Sequence, residues 1–413
     1  MQKQQNKTAV PEVPGTYQKT PAGHKAFFPN ALPPLMDLPN KTIRLIEQAT
    51  YSLGQVEMCR TLLPNASLLI YSSLQNESLA SSTIEGTIAS PQELVLFQIG
   101  QQSQRQEKEA PREVSNYRTA LEWGCEQIKT RPISVNVLLG MHALLMHEVR
   151  GTTSAGRFKV FQNAIGSQPT DTIEQAVFVP SPPEAVPGLM TDLENYINLD
   201  AQESKVVQCA LAHYQFETIH PFVDGNGRVG RLLIILQMIQ LELLSAPLIY
   251  PSVYFERNRQ DYYKRLQGIR DNGEWNPWIE FFANGIVEQC KKTLDFTQTI
   301  LGLRQTIQAE VAHVTRRAAI TGVIDAFFRA PVGSIADIAK SANMSINSAQ
   351  GAVDILKMNN LVIELTGKSW GRVYACRPVI NAIFGRDPDQ DIMKDQDITR
   401  EPHLANGGAT EHA

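Results

Sequence analysis

The sequence predicts a mainly α-helical chain, a helical bundle followed by a smaller second module of helices and a short two-stranded sheet. Three observations carry that class. In SKVVQCALAHYQF, Val206, Val207, Ala210, Leu211 and Tyr214 recur at spacings of one, three and four, which is the repeat of a helix face. VGRLLIILQMIQLELL, from Val229, is a long apolar run relieved by Gln237, Gln240 and Glu242, and reads as a buried helix. From Ser334 to Leu365 the pattern reads helix, turn, helix, strand: Ile335, Ile338 and Ala339 face one side, Ala349, Val353 and Leu356 another.

Taken in order, residues 1 to about 35 are polar and proline-punctuated and are expected to run extended along the surface. Helical patterns then dominate to about residue 300. The expected division is an N-terminal helical region over 1–105, a core over 106–300, a helical connector over 301–320, the second module over 321–380 and a polar tail over 381–413. That tail is poor in aromatics and is expected to be disordered. A chain of 413 residues is long enough for roughly two or three domains.

Composition excludes several classes. A net charge of −4 argues against a protein that coats nucleic acid. The five cysteines, at 59, 125, 209, 290 and 376, form no C-x-x-C, which points to reduced thiols and away from a structural zinc. MQKQQNKTAV has no apolar signal core, and the run from Leu232 to Leu244 is too short and interrupted to span a bilayer. The expectation is a soluble cytoplasmic protein with no membrane partner.

The chemistry concentrates in HPFVDGNGRVGR, residues 220–231. Gly225, Gly227 and Gly230 satisfy G-x-G-x-x-G, but a dinucleotide turn needs a strand before the glycines and an acid about 20 residues beyond. Here helical patterns flank the loop, and Glu242 and Glu256 stand at the wrong separations. What remains is a glycine-rich loop opening onto a helix N-terminus, where unpaired N–H groups favour an anion and glycine lets a phosphate approach the main chain. Arg228 and Arg231, three apart, share a helix face and can fork onto phosphate oxygens. Asp224 offers the hard carboxylate that Mg²⁺ takes alongside substrate phosphates, and His220 can remove a proton near neutral pH. Singly, such residues are more often structural or solvated. Jointly they describe a site for a metal-bound polyphosphate beside a base.

The same twelve residues match H-x-F-x-[D/E]-G-N-G-R-x-x-R at every fixed position, and so resemble the signature of the Fic family. The resemblance implies a helical fold with a small β-hairpin flap, and an enzyme that moves AMP from ATP to a Ser, Thr or Tyr hydroxyl of a target protein. By position it implies that His220 deprotonates that hydroxyl and Asp224 holds Mg²⁺ at the α- and β-phosphates. Gly225, Asn226 and Gly227 would cradle the phosphates, Arg228 the β- and Arg231 the γ-phosphate, with Phe222 anchoring the loop. Gln215 and Asn258 would be polar contacts to adenine, with Tyr262 and Tyr263 packing nearby; both are equally readable as helix-surface residues. GRFKVFQNAIG (156–166) resembles the strand-like segment before the flap, and DTIEQAVFVPS (171–181) the flap, with alternation around Ala176, Phe178 and Pro180 suggesting an extended edge for a target strand, or else an ordinary surface hairpin.

ESLASSTIEGT, residues 77–87, sets Ser81 and Glu85 on one helix face with Gly86 as a C-terminal cap. Ser81 to Gly86 also resembles the family's inhibitory pattern [S/T]-x-x-x-E-[G/N]. The implied role is a Glu85 carboxylate that pairs with Arg231 and occupies the arginine meant for the γ-phosphate; the same residue could instead help water remove AMP from modified protein.

The second module resembles a winged helix-turn-helix, with Leu361, Ile363 and Val373 to Tyr374 alternating as a wing around GKSWG. From Thr321 to Arg377 six basic residues face four acidic ones, a net of about +2 that gives no clustered basic face. A protein-interaction or homodimerisation role is therefore favoured over DNA binding. The alternative function is a DNA-binding regulator whose first region senses nucleotide, and the signature also admits transfer of another phosphate-containing group.

Overall fold

The structure, a computed structural model, describes residues 13–20, 23–62, 66–90, 93–94, 97, 109–149, 152–166, 172–311, 317–367 and 369–384. The first twelve residues, Asp171, Lys368 and the polar tail from Pro388 lie outside the described residues. The chain forms two compact units, Met1–Gly302 and Leu303–Ala413. The described residues hold fourteen α-helices and five short strands.

The first unit opens with a hairpin, where the sequence suggested an extended surface segment. β1 (Gly15–Lys19) and β2 (Lys25–Pro29) pair antiparallel with Gly15 opposite Pro29. Phe27 explains the difference: its ring is buried against Phe178, with centroids 5.8 Å apart, and its N–H donates to the Val179 carbonyl at 2.9 Å. A proline-punctuated segment thus gains an apolar anchor and ladder partners. Gly15 is required there because a Cβ would run into the Phe28 carbonyl and the Phe27 ring.

Next come α1 (Asn40–Leu62), α2 (Ser67–Ile84), α3 (Glu109–Gln127), α4 (Val135–Leu145), α5 (Val186–Ile197), α6 (Lys205–Ile219), α7 (Asn226–Gln240), α8 (Pro251–Arg257), α9 (Arg259–Asn272) and α10 (Trp275–Glu310). Both helices foreseen around the glycine loop are present as α6 and α7, and they pack against one another. Leu232, Leu233, Ile234, Ile235 and Leu236 are consecutive and all buried. A helix apolar all round belongs in the middle of a bundle, and α7 accordingly also touches α2, α3 and α4. Burying each such side chain stabilises by about 1.5–3 kcal/mol. The loop ahead of α7 is therefore mounted on a helix buried in the middle of the bundle. Residues 301–310 of the expected connector continue α10, and 312–316 lie outside the described residues.

The second unit contains α11 (Arg317–Phe327), β3 (Val332–Ser334), α12 (Ile335–Ser341), α13 (Ile346–Met358), β4 (Val362–Glu364), β5 (Val373–Cys376) and α14 (Arg377–Phe384). β4 and β5 pair antiparallel as the pattern predicted, and β3 adds a third strand in the order β3-β5-β4. Of the apolar positions foreseen on α12 and α13, Ile338, Ala339, Ala349, Val353 and Leu356 are buried, while Ile335, the first residue of α12, is half-buried. Ser334 starts α12 with reciprocal bonds to Asp337, satisfying two end groups at once. Among the described residues no helix is long and apolar enough to cross a membrane.

Candidate active site

The loop between α6 and α7 is built from backbone geometry upward. α6 ends where His220 enters the left-handed region (φ 51°), its N–H still bonded to the Phe216 carbonyl at 2.9 Å. A non-glycine residue held there stores about 1–2 kcal/mol of strain. Gly225 (φ 78°) makes the second sharp turn, directly before the first residue of α7. Asn226 closes the loop on itself: its Oδ1 accepts the Phe222 N–H at 2.7 Å and its Nδ2 donates to the Phe222 carbonyl at 2.9 Å. Phe222 is fully buried. From outside, the Lys159 N–H donates to the Pro221 carbonyl at 2.9 Å and Asn163 Nδ2 to the Phe222 carbonyl at 2.8 Å.

Both signature arginines are 1 % exposed and both meet carboxylates. Arg231 donates from Nε to Ser81 Oγ (2.8 Å) and from Nη2 to the Ser81 carbonyl (2.9 Å) and Glu85 Oε1 (2.7 Å). Burial is the largest single influence and works against its charge, but Glu85 foremost, with Tyr262, Glu217 and Tyr117, together outweighs it and holds Arg231 above the usual guanidinium range. Arg228 donates from Nη1 to Glu113 Oε2 at 2.8 Å, and its Nη2 lies 3.4 Å from Asp224 Oδ1. The same Glu113 oxygen accepts the Thr87 hydroxyl at 2.7 Å. A Cβ added at Gly227 would run into Glu85 Oε1, so the carboxylate rests against the main chain of the first turn of α7.

Glu85 arrives there through the cap the sequence foresaw. Gly86 is left-handed (φ 88°), its N–H bonds to the Thr83 carbonyl and the Thr87 N–H to that of Ser82, the Schellman pattern. Nearer the start of α2, the buried Glu77 accepts from the Tyr117 hydroxyl at 2.7 Å, the Ser252 N–H at 3.0 Å and the Ser252 hydroxyl.

His220 lies where burial, reinforced by Lys159 and Arg270, lowers its imidazole to about 3. It is therefore neutral at pH 7, the form that accepts a proton. Its Nδ1 is buried without a hydrogen-bond partner among the described residues. The Lys159 ammonium is 2 % exposed, donates to Asn163 Oδ1 at 2.7 Å, and is brought down to about 7 by burial. Glu217, one turn before His220, is pushed up to about 7 by burial against the pull of Arg231.

Asp224 keeps its side chain 43 % exposed while Oδ1 accepts the Gly225 N–H at 2.6 Å. Among the described residues no group of three or more His, Cys, Asp or Glu could hold a metal ion. A lone carboxylate of this kind suits a cation that takes its other oxygens from phosphates and water.

Other expected residues are engaged in packing. Gln215 Nε2 donates to the Asn30 carbonyl at 2.9 Å and so ties α6 to the end of the hairpin. Asn258 sits between α8 and α9 and donates to the Tyr254 carbonyl at 2.9 Å. Tyr262 is buried, stacked on Phe255 at 4.8 Å, whereas Tyr263 is exposed. The segment from 156 to 166 forms no regular strand; Ile165 and Phe178 make a single antiparallel bridge. Residues Ile173–Gln175 wind into one 3-10 turn, because Thr172 and Gln175 cap one another, so the extended part of the flap begins only at Ala176. Sequence reasoning missed Glu113, Lys159, Glu217 and His142, which lie on other elements or carry no motif; a histidine inside the apolar run VLLGMHALLM was the one available signal for His142.

Residues 132–238 match the Fic/DOC family and residues 43–126 the Fic/DOC family N-terminal region. The chain is 28 % identical over 185 residues to protein adenylyltransferase fic-1 of Caenorhabditis briggsae, covering 44 % of this chain and 32 % of that one. It is 33 % identical over 119 residues to protein adenylyltransferase Fic of Drosophila mojavensis, covering 28 % and 22 %. The chain thus spans about a third or less of the length of these curated relatives. In structure it resembles a Fic family protein from Desulfovibrio desulfuricans G20, with a TM-score of 0.53 at 20 % identity over 84 % of this chain and 98 % of that one. It also resembles Fic-1 of Caenorhabditis elegans, with a TM-score of 0.51 at 20 % identity over 63 % and 74 %.

Proposed function

This chain is a Fic/DOC family protein with that family's N-terminal region ahead of its glycine loop, and from that premise we propose that it transfers AMP from ATP to a hydroxyl side chain of a target protein, held down by Glu85 on Arg231. The observation that carries the reading is an anion already seated in an anion site. The Glu85 carboxylate lies against Gly227 on the first turn of α7, paired with Arg231, where a phosphate would find the same donors. His220, neutral and at the end of α6, takes the proton of the incoming hydroxyl. Arg228 and Arg231, once released by their carboxylates, hold the departing pyrophosphate, and the main chain of Gly225, Asn226 and Gly227 faces the phosphates. Asp224 is the residue that would hold magnesium, which when bound supplies positive charge to the phosphate oxygens.

Incubation of the Glu85→Gly variant with α-labelled and, separately, γ-labelled ATP tests this. Label on protein from the first and none from the second is the expected result. Label from γ alone would replace AMP transfer with phosphoryl transfer. Retention of duplex DNA at moderate salt without any label would favour a regulator instead.

A further inference from the structure

We infer that His142, on α4, is a positioning residue that sets the direction of the Asp224–Gly225 peptide and, through the Gly225 N–H, the cation-holding carboxylate of Asp224. The inference rests on the proposed function only in taking that loop as the substrate's seat. His142 is 1 % exposed and reaches 82 residues along the chain to the loop. Its Nδ1 lies 3.0 Å from the Gly156 N–H, which can only donate, so Nδ1 accepts. The ring proton is therefore on Nε2, which donates to the Asp224 carbonyl at 3.0 Å. The imidazole also lies flat on Phe222, centroids 3.8 Å apart and planes 11° apart. A Cβ at Gly225 would stand 3.4 Å from its Cδ2. One side chain thus contacts Asp224 and Phe222 and limits the space beside Gly225.

The peptide link explains why this bears on the site. A trans peptide is planar with C=O and N–H opposed. Fixing the Asp224 carbonyl toward His142 therefore aims the Gly225 N–H the other way, where it meets Asp224 Oδ1 at 2.6 Å. The Asp224 carboxylate is oriented through that N–H, and Gly225 supplies the left-handed turn that permits the arrangement. Groups that orient a metal's ligand from behind typically contribute 10–100-fold to activity or metal affinity.

The test uses the full chain carrying Glu85→Gly, with His142→Phe or His142→Gln added. Phenylalanine keeps a ring against Phe222 but offers no hydrogen bond; the glutamine amide can donate to one neighbour and accept from the other. Hydrogen exchange is read on a peptide spanning residues 220–231 without nucleotide, alongside the rate of AMP transfer. Expected for His142→Phe is at least about tenfold faster exchange confined to that peptide and a 10–100-fold slower transfer, with His142→Gln recovering most of both. Unchanged exchange with transfer within about twofold of the parent, or exchange that rises equally throughout α4, overturns the proposal. Should the phenylalanine variant not fold, histidine ¹⁵N shifts of the unaltered chain, assigned with the glutamine variant, decide: neutral and Nε2-protonated at pH 7 supports it, Nδ1-protonated or doubly protonated overturns it. If the Glu85→Gly parent transfers no AMP, the functional reading falls while the exchange and ¹⁵N results still judge His142.

Discussion

Glu85 and Arg231 stand 146 residues apart in sequence and 2.7 Å apart in space, and the carboxylate that joins them also lies against the Gly227 main chain. One carboxylate therefore engages both a side-chain and a main-chain part of the candidate phosphate site. Removing it should change rate more than stability. Glu85→Gly is expected to raise AMP transfer, self-modification included, by about 10²-fold, the cost of misaligning a reacting centre by an ångström. Labelling with α-labelled ATP measures it; a rate equal to or below that of the unaltered chain would count against inhibition by this residue.

His220 is expected to be needed for transfer and dispensable for binding. In the Glu85→Gly background, His220→Ala should lower the rate by about 10²–10⁴-fold, with ATP affinity by calorimetry within a few-fold. Because burial, Lys159 and Arg270 hold the imidazole at about 3, it stays neutral well below the ordinary value of 6.5. The transfer rate should therefore not fall with a midpoint near 6.5 as pH is lowered from 8 to about 5. A sigmoidal loss centred near 6.5 would mean that the base is an ordinary exposed histidine.

Glu113 holds Arg228 and Thr87 with a single oxygen. Stripping a buried charge of its partner costs about 3–5 kcal/mol, although Asp224, 3.4 Å from Nη2, retains part of the pairing. Glu113→Ala should destabilise by about 3 kcal/mol in urea unfolding, and Thr87→Val by only about 1 kcal/mol. Equal effects of the two changes would show that the Arg228 pair carries no special weight.

His213 links the two central helices to α9: its ring lies 2.9 Å from the Gly230 carbonyl through Nδ1 and 2.8 Å from the Tyr262 hydroxyl through Nε2. Burial lowers it to about 3. The folded chain thus binds fewer protons than the unfolded one between about pH 3 and 6.5, so stability must fall as pH drops through that window, by about 1.4 kcal/mol per pH unit for this group. His213→Asn should be less stable at pH 7 yet lose less between pH 6.5 and 4.5. Parallel thermal-midpoint curves for the two proteins would contradict this.

The site's centre was legible because its parts are contiguous: the loop, both turns at its ends and the arginine face all lie within twelve residues, and the Gly86 cap within six of Ser81. Its supports were not. His142, Lys159 and Glu113 act across folds of the chain, and of the three only His142, a histidine inside an apolar run, carries any local mark. Composition also misled at the N-terminus, where prolines suggested a loose segment but Phe27 finds a buried place beside Phe178. The flap's alternation stopped short for a local reason, the mutual capping of Thr172 and Gln175. Gln215 illustrates a third limit, since position in a helix does not say which of two surfaces its amide serves.

The anchoring of α2 is uneven along its length, and this has a mechanical corollary. Glu77 roots the helix in α3 and α8 through three hydrogen bonds, while the hydrogen bonds the helix accepts from Arg231, at Ser81 and Glu85, lie at its C-terminal end. Freeing that guanidinium asks the last turn, Ser81 to Gly86, to leave a place where Ser81, Ser82 and Ile84 are fully buried. The turns around Glu77 keep bonds of their own, so a stimulus that lifts this last turn has to expose Ile84, and the brake proposed for Glu85 would close again as Ile84 returns to the core.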